Sequence, residues 1–88
     1  TTDSTVLVDV GASWCPPCRR MAPVIEQLQT SLHNSFKLVK VDAGTDTAVM
    51  QQLQVNEIPV FIVYKAGKEV WRKQGLATKE ELQQQLER

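Results

Sequence analysis

The sequence lacks an excess of charge of either sign, since ten Lys and Arg residues balance ten Asp and Glu residues. Proteins that bind nucleic acid or anionic membranes usually carry a basic surplus, so neither partner is expected. No apolar run approaches the roughly 20 residues that a membrane helix needs. The polar start at residues 1–5 lacks the pattern of a secretory leader, but a mature secreted domain would share that lack. A cytoplasmic location is therefore favoured, and a periplasmic one stays open.

Cysteine is scarce as well, because the chain has two, Cys15 and Cys18, placed three positions apart. A secreted scaffold held together by disulfides has more cysteines at wider spacing. A bridge across so short a loop constrains little of the unfolded chain and adds little stability. One pair is also too few for a four-cysteine zinc site, and His33 lies far along the next helix, so no metal is expected. Redox chemistry explains the pair better, with their own disulfide as the only redox group.

The apolar pattern divides the 88 residues into alternating strands and helices within one domain, 1–88. Short runs rich in β-branched residues predict strands at 6–10, 36–41, 60–64 and 69–73, and the last two form a hairpin. A long helix begins at Pro16, since prolines suit a first turn whose backbone N–H groups lack partners. Residues predicted to face inward from this helix are Met21, Val24, Ile25, Leu28 and Leu32.

Two further helices complete the order β-α-β-α-β-β-α. Thr45 or Asp46 is expected to cap a short one, and Thr78 with Glu81 forms a capping box that begins the last one. The inward-facing residues predicted here are Ala48, Val49 and Leu53, then Leu82 and Leu86. Strands joined by a helix should be parallel with a right-handed crossover. The fold class is therefore α/β, with a mixed sheet of four strands flanked by helices on both faces.

Cys15 falls where a loop passes into the long helix, and helix N-termini favour the negative charge of a thiolate. Cys18 lies one turn further in and is expected to be less exposed. This placement predicts that Cys15 attacks a substrate disulfide and that Cys18 then resolves the mixed disulfide, leaving a Cys15–Cys18 bridge.

Asp9 interrupts the first apolar strand and is the candidate acceptor for the Cys18 proton. Burial should raise the pKa of its carboxyl, which suits proton exchange. The alternative is that Asp9 points to solvent. Lys40, on the neighbouring strand, either pairs with Asp9 and opposes that rise or is simply solvated.

The chain resembles the thioredoxin family in a set of motifs that spans nearly its whole length. These motifs are Trp14-Cys15-Pro16-Pro17-Cys18 with Met21-Ala22-Pro23, Val8-Asp9-Val10, Lys40-Val41-Asp42, Ile58-Pro59, Gly67 and Gly75. The resemblance implies a thioredoxin-like fold and a thiol–disulfide oxidoreductase that reduces protein disulfides and receives electrons from a reductase. It also implies a cis peptide before Pro59 and substrate pairing with the Ile58 backbone. The implied docking surface consists of Trp14, Pro16, Pro17, Ile58, Pro59 and Gly75.

Four departures from the family pattern have expected consequences. Pro16 stands where a glycine is typical, which removes an N–H near Cys15 and should make the pair more reducing. Gly11 replaces a tryptophan, so the floor of the site should be less filled, and Gln74 makes the docking surface more polar. The family's leading strand and helix are not apparent. Strand 36–41 is then expected at a sheet edge, and exposed edges invite pairing; a monomer is expected, with this edge as a route to a dimer.

Two other functions remain open at this point. One is a periplasmic or membrane-associated thiol reductase for the maturation of cytochromes or disulfide isomerases, where the residues between the cysteines vary. The other is a thioredoxin-like interaction module that is not an enzyme, which the combination of Asp9, Trp14, Cys15, Cys18 and Pro59 argues against.

Overall fold

The structure, a computed structural model, describes residues 4–88. The predicted domain 1–88 and the polar start both include residues 1–3, which lie outside the described residues. The elements are β1 (Thr5–Gly11), α1 (Pro16–Ser31), β2 (Lys37–Asp42), α2 (Thr47–Leu53), β3 (Val60–Lys65), β4 (Lys68–Gln74) and α3 (Lys79–Glu87). Their order is the predicted one.

The four strands form a mixed sheet in the order β2-β1-β3-β4. β1 and β2 run parallel, as a connection through α1 requires, and β3 is antiparallel to both β1 and β4. The α/β fold with helices on both faces is confirmed. Within residues 4–88, β2 lies at one edge of the sheet, as expected, and no helix is long and apolar enough to cross a membrane.

The alternation of side chains along β1 places its residues on two faces. Leu7 packs in a core beneath α1 and α3, and Asp9 and Gly11 share its direction. Val8 and Val10 face the opposite side and pack in a second core, which Met50 and Leu53 of α2 partly cover. The carboxyl of Asp9 is thereby directed toward the helix that begins with the cysteines.

The inward face predicted for α2 is partly wrong. Ala48 is exposed and Val49 is 40% exposed, whereas Met50 and Leu53 contact the core. Met50 and Leu53 are three positions apart and so share one face of the helix, and Ala48 and Val49 fall beside that face. Asp46 is the N-cap residue, as one of the two predictions had it, but its side chain makes no capping hydrogen bond and instead accepts one from the Asp42 backbone N–H at 2.8 Å.

The start of α3 follows the predicted capping box. The Thr78 hydroxyl accepts a hydrogen bond from the Glu81 backbone N–H, and the Glu81 carboxylate accepts one from the Thr78 N–H, each at 3.0 Å. Leu82 and Leu86 are buried, as predicted. Trp71 of β4 is half-buried against the same core.

Candidate active site

Cys15 is the N-cap residue of α1, and Cys18 follows in the first turn. The Cys15 N–H donates to the Ala12 carbonyl at 3.2 Å, and the Arg19 N–H donates to the Cys15 carbonyl at 3.0 Å. No side-chain hydrogen bond caps the helix end. The cysteine backbone is thus fixed by the turn and the helix, and the sulfurs remain available for chemistry as unbridged thiols.

The exposure of the two cysteines is the reverse of the predicted one. Cys15 is 6% exposed, whereas Cys18 is half-buried. The prediction that Cys18 is the less exposed residue is therefore wrong. Its physical reason is Gly11, where a Cβ would lie only 3.1 Å from the Cys18 sulfur and 3.3 Å from its Cβ. Because Gly11 has no side chain, Cys18 packs directly against the Gly11 backbone and nothing from that position covers it.

Gly11 and Cys18 both line a cleft of about 330 Å³. The Cys18 side chain takes up the space next to Gly11, so the expectation of a less filled floor there stays a prediction. The cleft runs between the start of α1 and the end of β2. Its lining residues are Asp9, Gly11, Ala12, Ser13, Cys18, Arg19, Ala22, Ile25, Lys40, Val41 and Asp42.

Asp9 also lines this cleft and is half-buried. Burial raises the pKa of its carboxyl, and the positive charge of Lys40 acts in the opposite direction. Asp9 and Lys40 are register partners on β1 and β2, but Lys40 is exposed, and within residues 4–88 the two form no ion pair shorter than 4.0 Å. Lys40 therefore acts on Asp9 through its field rather than by direct contact.

Cys18 has a thiol that resists ionisation. The pKa of the Cys18 thiol is raised to about 11, chiefly by burial and then by the hydrogen bond with the Cys15 side chain. The charges of Cys15 and Asp9 also raise this pKa, whereas a hydrogen bond from the Ala12 backbone lowers it. A nearby proton acceptor is thus needed before Cys18 can act as a nucleophile.

The residues of the implied docking surface surround the start of β3. The Ile58–Pro59 peptide bond is cis, and the Pro59 carbonyl accepts a hydrogen bond from the Gly75 N–H at 2.8 Å. Val60 pairs with Val10, so Pro59 lies at the end of the sheet where β1 leads to the cysteines. Pro59 is buried, while Ile58 and Gly75 are half-buried.

The other implied docking residues lie at the helix start. Pro16 is exposed and Pro17 half-buried. Trp14 is 67% exposed, and its indole nitrogen lies 4.0 Å from the position of a Cβ at Gly44, in the loop after β2. The indole thus leans toward β2, whereas Pro59 precedes β3 on the other side of β1.

Sequence reasoning missed Glu57, which is next to Ile58. The Gln74 side chain donates a hydrogen bond to the Glu57 carboxylate at 2.5 Å. This bond joins the loop before the cis peptide to the end of β4, next to the Gly75–Pro59 hydrogen bond. In the sequence, only the polarity of Gln74 pointed to this hydrogen bond. Its partner lies 17 residues away, so identifying Glu57 requires the register of the sheet.

Among residues 4–88, no three His, Cys, Asp or Glu side chains are grouped so that they could hold a metal ion.

Known proteins resemble the chain over nearly all of its length. The family model described as thioredoxin matches residues 1–88. A thioredoxin-like protein of Synechocystis is 38% identical over 82 residues, which cover 93% of this chain and 78% of that protein. A bifunctional thioredoxin reductase/thioredoxin of Mycobacterium leprae is 34% identical over 86 residues, or 98% of this chain and 19% of that protein. The X-ray structure of Fasciola hepatica thioredoxin has a TM-score of 0.84 at 31% identity, covering 98% of this chain and 82% of that one.

Proposed function

The chain belongs to the thioredoxin family of thiol–disulfide oxidoreductases, and on that premise we propose that it reduces protein disulfides with the Cys15–Cys18 pair. Cys15 is the nucleophile, Cys18 the resolving thiol and Asp9 the proton acceptor. The observation that carries this proposal is that Asp9 and Cys18 both lie close to the point where a Cβ on Gly11 would stand. That point lies 3.1 Å from the Cys18 sulfur and 3.8 Å from a carboxylate oxygen of Asp9.

The reaction proceeds in two exchanges. The Cys15 thiolate attacks one sulfur of the substrate disulfide, the substrate S–S bond breaks, and the expelled substrate thiolate takes up a proton. Asp9 then accepts the proton of Cys18, directly or through one water molecule in the cleft that both residues line. The Cys18 thiolate attacks Cys15, a second substrate thiolate leaves, and the protein retains the Cys15–Cys18 disulfide. Two electrons have passed from the protein to the substrate.

A buried Cys15 requires that the substrate dock beside it. We propose that an extended substrate segment pairs with the Ile58 backbone as an added strand, while Trp14, Pro16, Pro17, Pro59 and Gly75 contact its side chains. The Gln74–Glu57 hydrogen bond makes one side of this surface polar and anionic, since Glu57 carries the charge.

The protein must then be reduced again, and we propose a reductase as the electron donor. Support comes from the Mycobacterium leprae relative, whose name joins a thioredoxin reductase and a thioredoxin in one protein. No other cofactor is needed, because the cysteine pair itself holds the electrons.

Reduction of insulin disulfides tests the proposal, first with dithiothreitol and then with a thioredoxin reductase as the electron source. The parent should turn over, and Cys18→Ser should accumulate a mixed disulfide through Cys15 that Cys15→Ser does not form. An unreactive Cys15 without turnover would identify an interaction module instead. Turnover that needs a periplasmic donor and fails with the reductase would identify the periplasmic thiol reductase.

A further inference from the structure

A small pocket borders the implied docking surface beside the cis peptide. Its volume is about 160 Å³, which is below the range of about 300–1,000 Å³ for small-molecule sites and suits a single side chain. Glu57 and Val60 line it and flank the Ile58–Pro59 peptide bond on either side. The other lining residues are Gln54, Val55, Asn56, Arg72 and Gln74. A substrate segment that pairs with the Ile58 backbone can therefore place a side chain in this pocket.

The pocket contains a carboxylate whose charge is not neutralised. Gln74 holds the Glu57 carboxylate by donating a side-chain N–H at 2.5 Å, but an amide is neutral and leaves the negative charge in place. Neither of the two salt bridges found within residues 4–88 involves Glu57. Glu57 is also exposed, so its charge is accessible to an arriving substrate.

The cation that lines the same pocket already has a partner. Arg72 donates two hydrogen bonds to the Glu69 carboxylate, at 2.8 Å from Nε and 2.7 Å from the second terminal nitrogen. Such a bidentate pair is strong and leaves the guanidinium neutralised. The other lining residues besides Glu57 are uncharged, so the pocket as a whole is negative. The amide side chains among them supply oxygen atoms that can accept hydrogen bonds from an ammonium or guanidinium group.

We propose that this pocket binds a lysine or arginine side chain of the substrate, so that the protein prefers disulfides that lie in basic segments. Glu57 is the residue that determines this specificity. The inference rests on the proposed function, in which the substrate pairs with the Ile58 backbone, and it adds the charge of the preferred substrate. The exchange of sulfurs and electrons at Cys15 and Cys18 is unchanged.

The reach of a basic side chain fits this placement. Opposite residues of two paired strands have Cβ atoms about 4.5–5.5 Å apart, and long side chains also reach the diagonal neighbour. Glu57 is adjacent to Ile58 in the chain, so a residue of the added strand next to the one opposite Ile58 lies within this range of Glu57. Opposite charges at such positions attract, and like charges repel. A glutamate at the same position of the substrate is therefore disfavoured.

Synthetic peptide disulfides provide the direct test. Each peptide has one cysteine, blocked termini and a lysine, glutamine or glutamate at one of the three positions on either side of that cysteine, and it is oxidised to its symmetrical disulfide. Pre-reduced protein reduces each peptide in a single turnover at low ionic strength. At the position that reaches the pocket, the lysine peptide should react about fivefold faster than the glutamate peptide, with the glutamine peptide between them. Equal rates for the three peptides at every position would overturn the proposal.

A charge reversal tests the assignment to Glu57. Glu57→Lys should favour the glutamate peptide over the lysine peptide, a reversal that a general loss of activity cannot produce. Glu26→Lys is the matched control, because it makes the same change of charge at an exposed site further along α1, and it should keep the preference of the parent. A Glu57→Lys protein that still favours lysine would contradict the proposal. If this variant does not fold, as judged by circular dichroism, the peptide rates of the parent still decide.

Salt and the neutral peptide complete the test. At about 1 M salt, where charges are screened beyond about 3 Å, the ratio of the lysine rate to the glutamate rate should approach one. A ratio that does not change with salt would show that charge is not its cause. Failure of the parent to reduce the glutamine peptide and insulin would refute the proposed function itself, whereas reduction of all peptides at one rate would refute only the basic-side-chain pocket.

Discussion

Gly11 and Cys18 face each other across the contact between β1 and α1, and a Cβ on Gly11 would lie 3.1 Å from the Cys18 sulfur. Real Cβ atoms rarely approach a neighbouring atom this closely, so a side chain at position 11 would displace the Cys18 sulfur. The exposure of Cys18 is therefore set by a residue on another element, and the family resemblance of the helix itself does not determine it.

Gly11→Ala should make Cys18 less accessible. The new methyl group would lie 3.1 Å from the Cys18 sulfur and must push it by a few tenths of an ångström. In a Cys15→Ser background, alkylation of Cys18 by iodoacetamide should slow roughly threefold, with a change in the free energy of unfolding within about 1 kcal/mol. Ala12→Gly is the control, because it removes rather than adds a methyl group beside the cleft. An unchanged alkylation rate for Gly11→Ala would contradict this account.

Asp9→Asn should increase stability at neutral pH while slowing resolution by Cys18. Burial raises the pKa of Asp9 in the folded chain, so the folded state holds its proton at pH values where the unfolded state has lost it. The free energy of unfolding of the parent then falls as pH rises from the ordinary Asp pKa through the raised one. Urea unfolding of both proteins across this pH range should show that the free energy of unfolding of the variant, relative to the parent, increases with pH.

The control for this experiment is Glu26→Gln, which removes an exposed carboxylate of α1. Its free energy of unfolding should change with pH as that of the parent does. If the free energies of unfolding of Asp9→Asn and the parent differ by the same amount at every pH, the pKa of Asp9 is not raised in the folded chain, and this account is wrong.

Gly75 and Gly67 form a matched pair for testing the docking surface. Their φ angles are +94° and +79°, and a Cβ on either would meet nothing within 4 Å. Alanine at each should therefore lower the free energy of unfolding by a similar amount, about 1 kcal/mol. Gly75 lies beside Pro59, whose carbonyl accepts its N–H, so a methyl group at Gly75 would project from the docking surface, and Gly75→Ala alone should raise the KM for insulin. An equal loss of activity in both variants would count against a docking role for Gly75.

Pro16→Gly should make the Cys15–Cys18 pair less reducing. The substitution restores a backbone N–H in the first turn of α1, where it can donate to a Cys15 thiolate and stabilise the reduced form. One such hydrogen bond is worth about 1 kcal/mol, which corresponds to a rise of about 20 mV in potential. Equilibration with glutathione measures it, and Pro23→Ala, further along the helix, is the control. An unchanged or lower potential for Pro16→Gly would refute the role assigned to Pro16.

The order and type of the elements were predictable because the apolar residues of each long element recur with the spacing of either a helix or a strand. Capping and burial of α3 followed directly from Thr78, Glu81 and two leucines. The short helix α2 was less predictable, since seven residues contain too few apolar positions to fix its orientation. The core beside β1 and β3 accepts Met50 and Leu53 instead, and that contact between separate elements decides which face of α2 is buried.

The candidate site shows the same division. The positions of Cys15, Cys18 and Asp9 in the fold could be read from the chain, because strand alternation and helix position depend on nearby residues. The relative exposure of the cysteines and the Gln74–Glu57 bond could not, since they depend on contacts between separate elements. Exposure is a property of what surrounds a residue, and for Cys18 the decisive neighbour is a glycine.

The placement of the two tryptophans has an optical consequence. Trp14 is solvent-exposed and adjoins Cys15, whereas Trp71 is half-buried against the core beneath α1 and α3. An indole in water emits at longer wavelength than one in an apolar setting, and a neighbouring disulfide quenches fluorescence. The long-wavelength part of the emission should therefore report the oxidation state of the cysteines, while the short-wavelength part reports the integrity of the core. The unlabelled chain thus provides separate signals for catalysis and for unfolding.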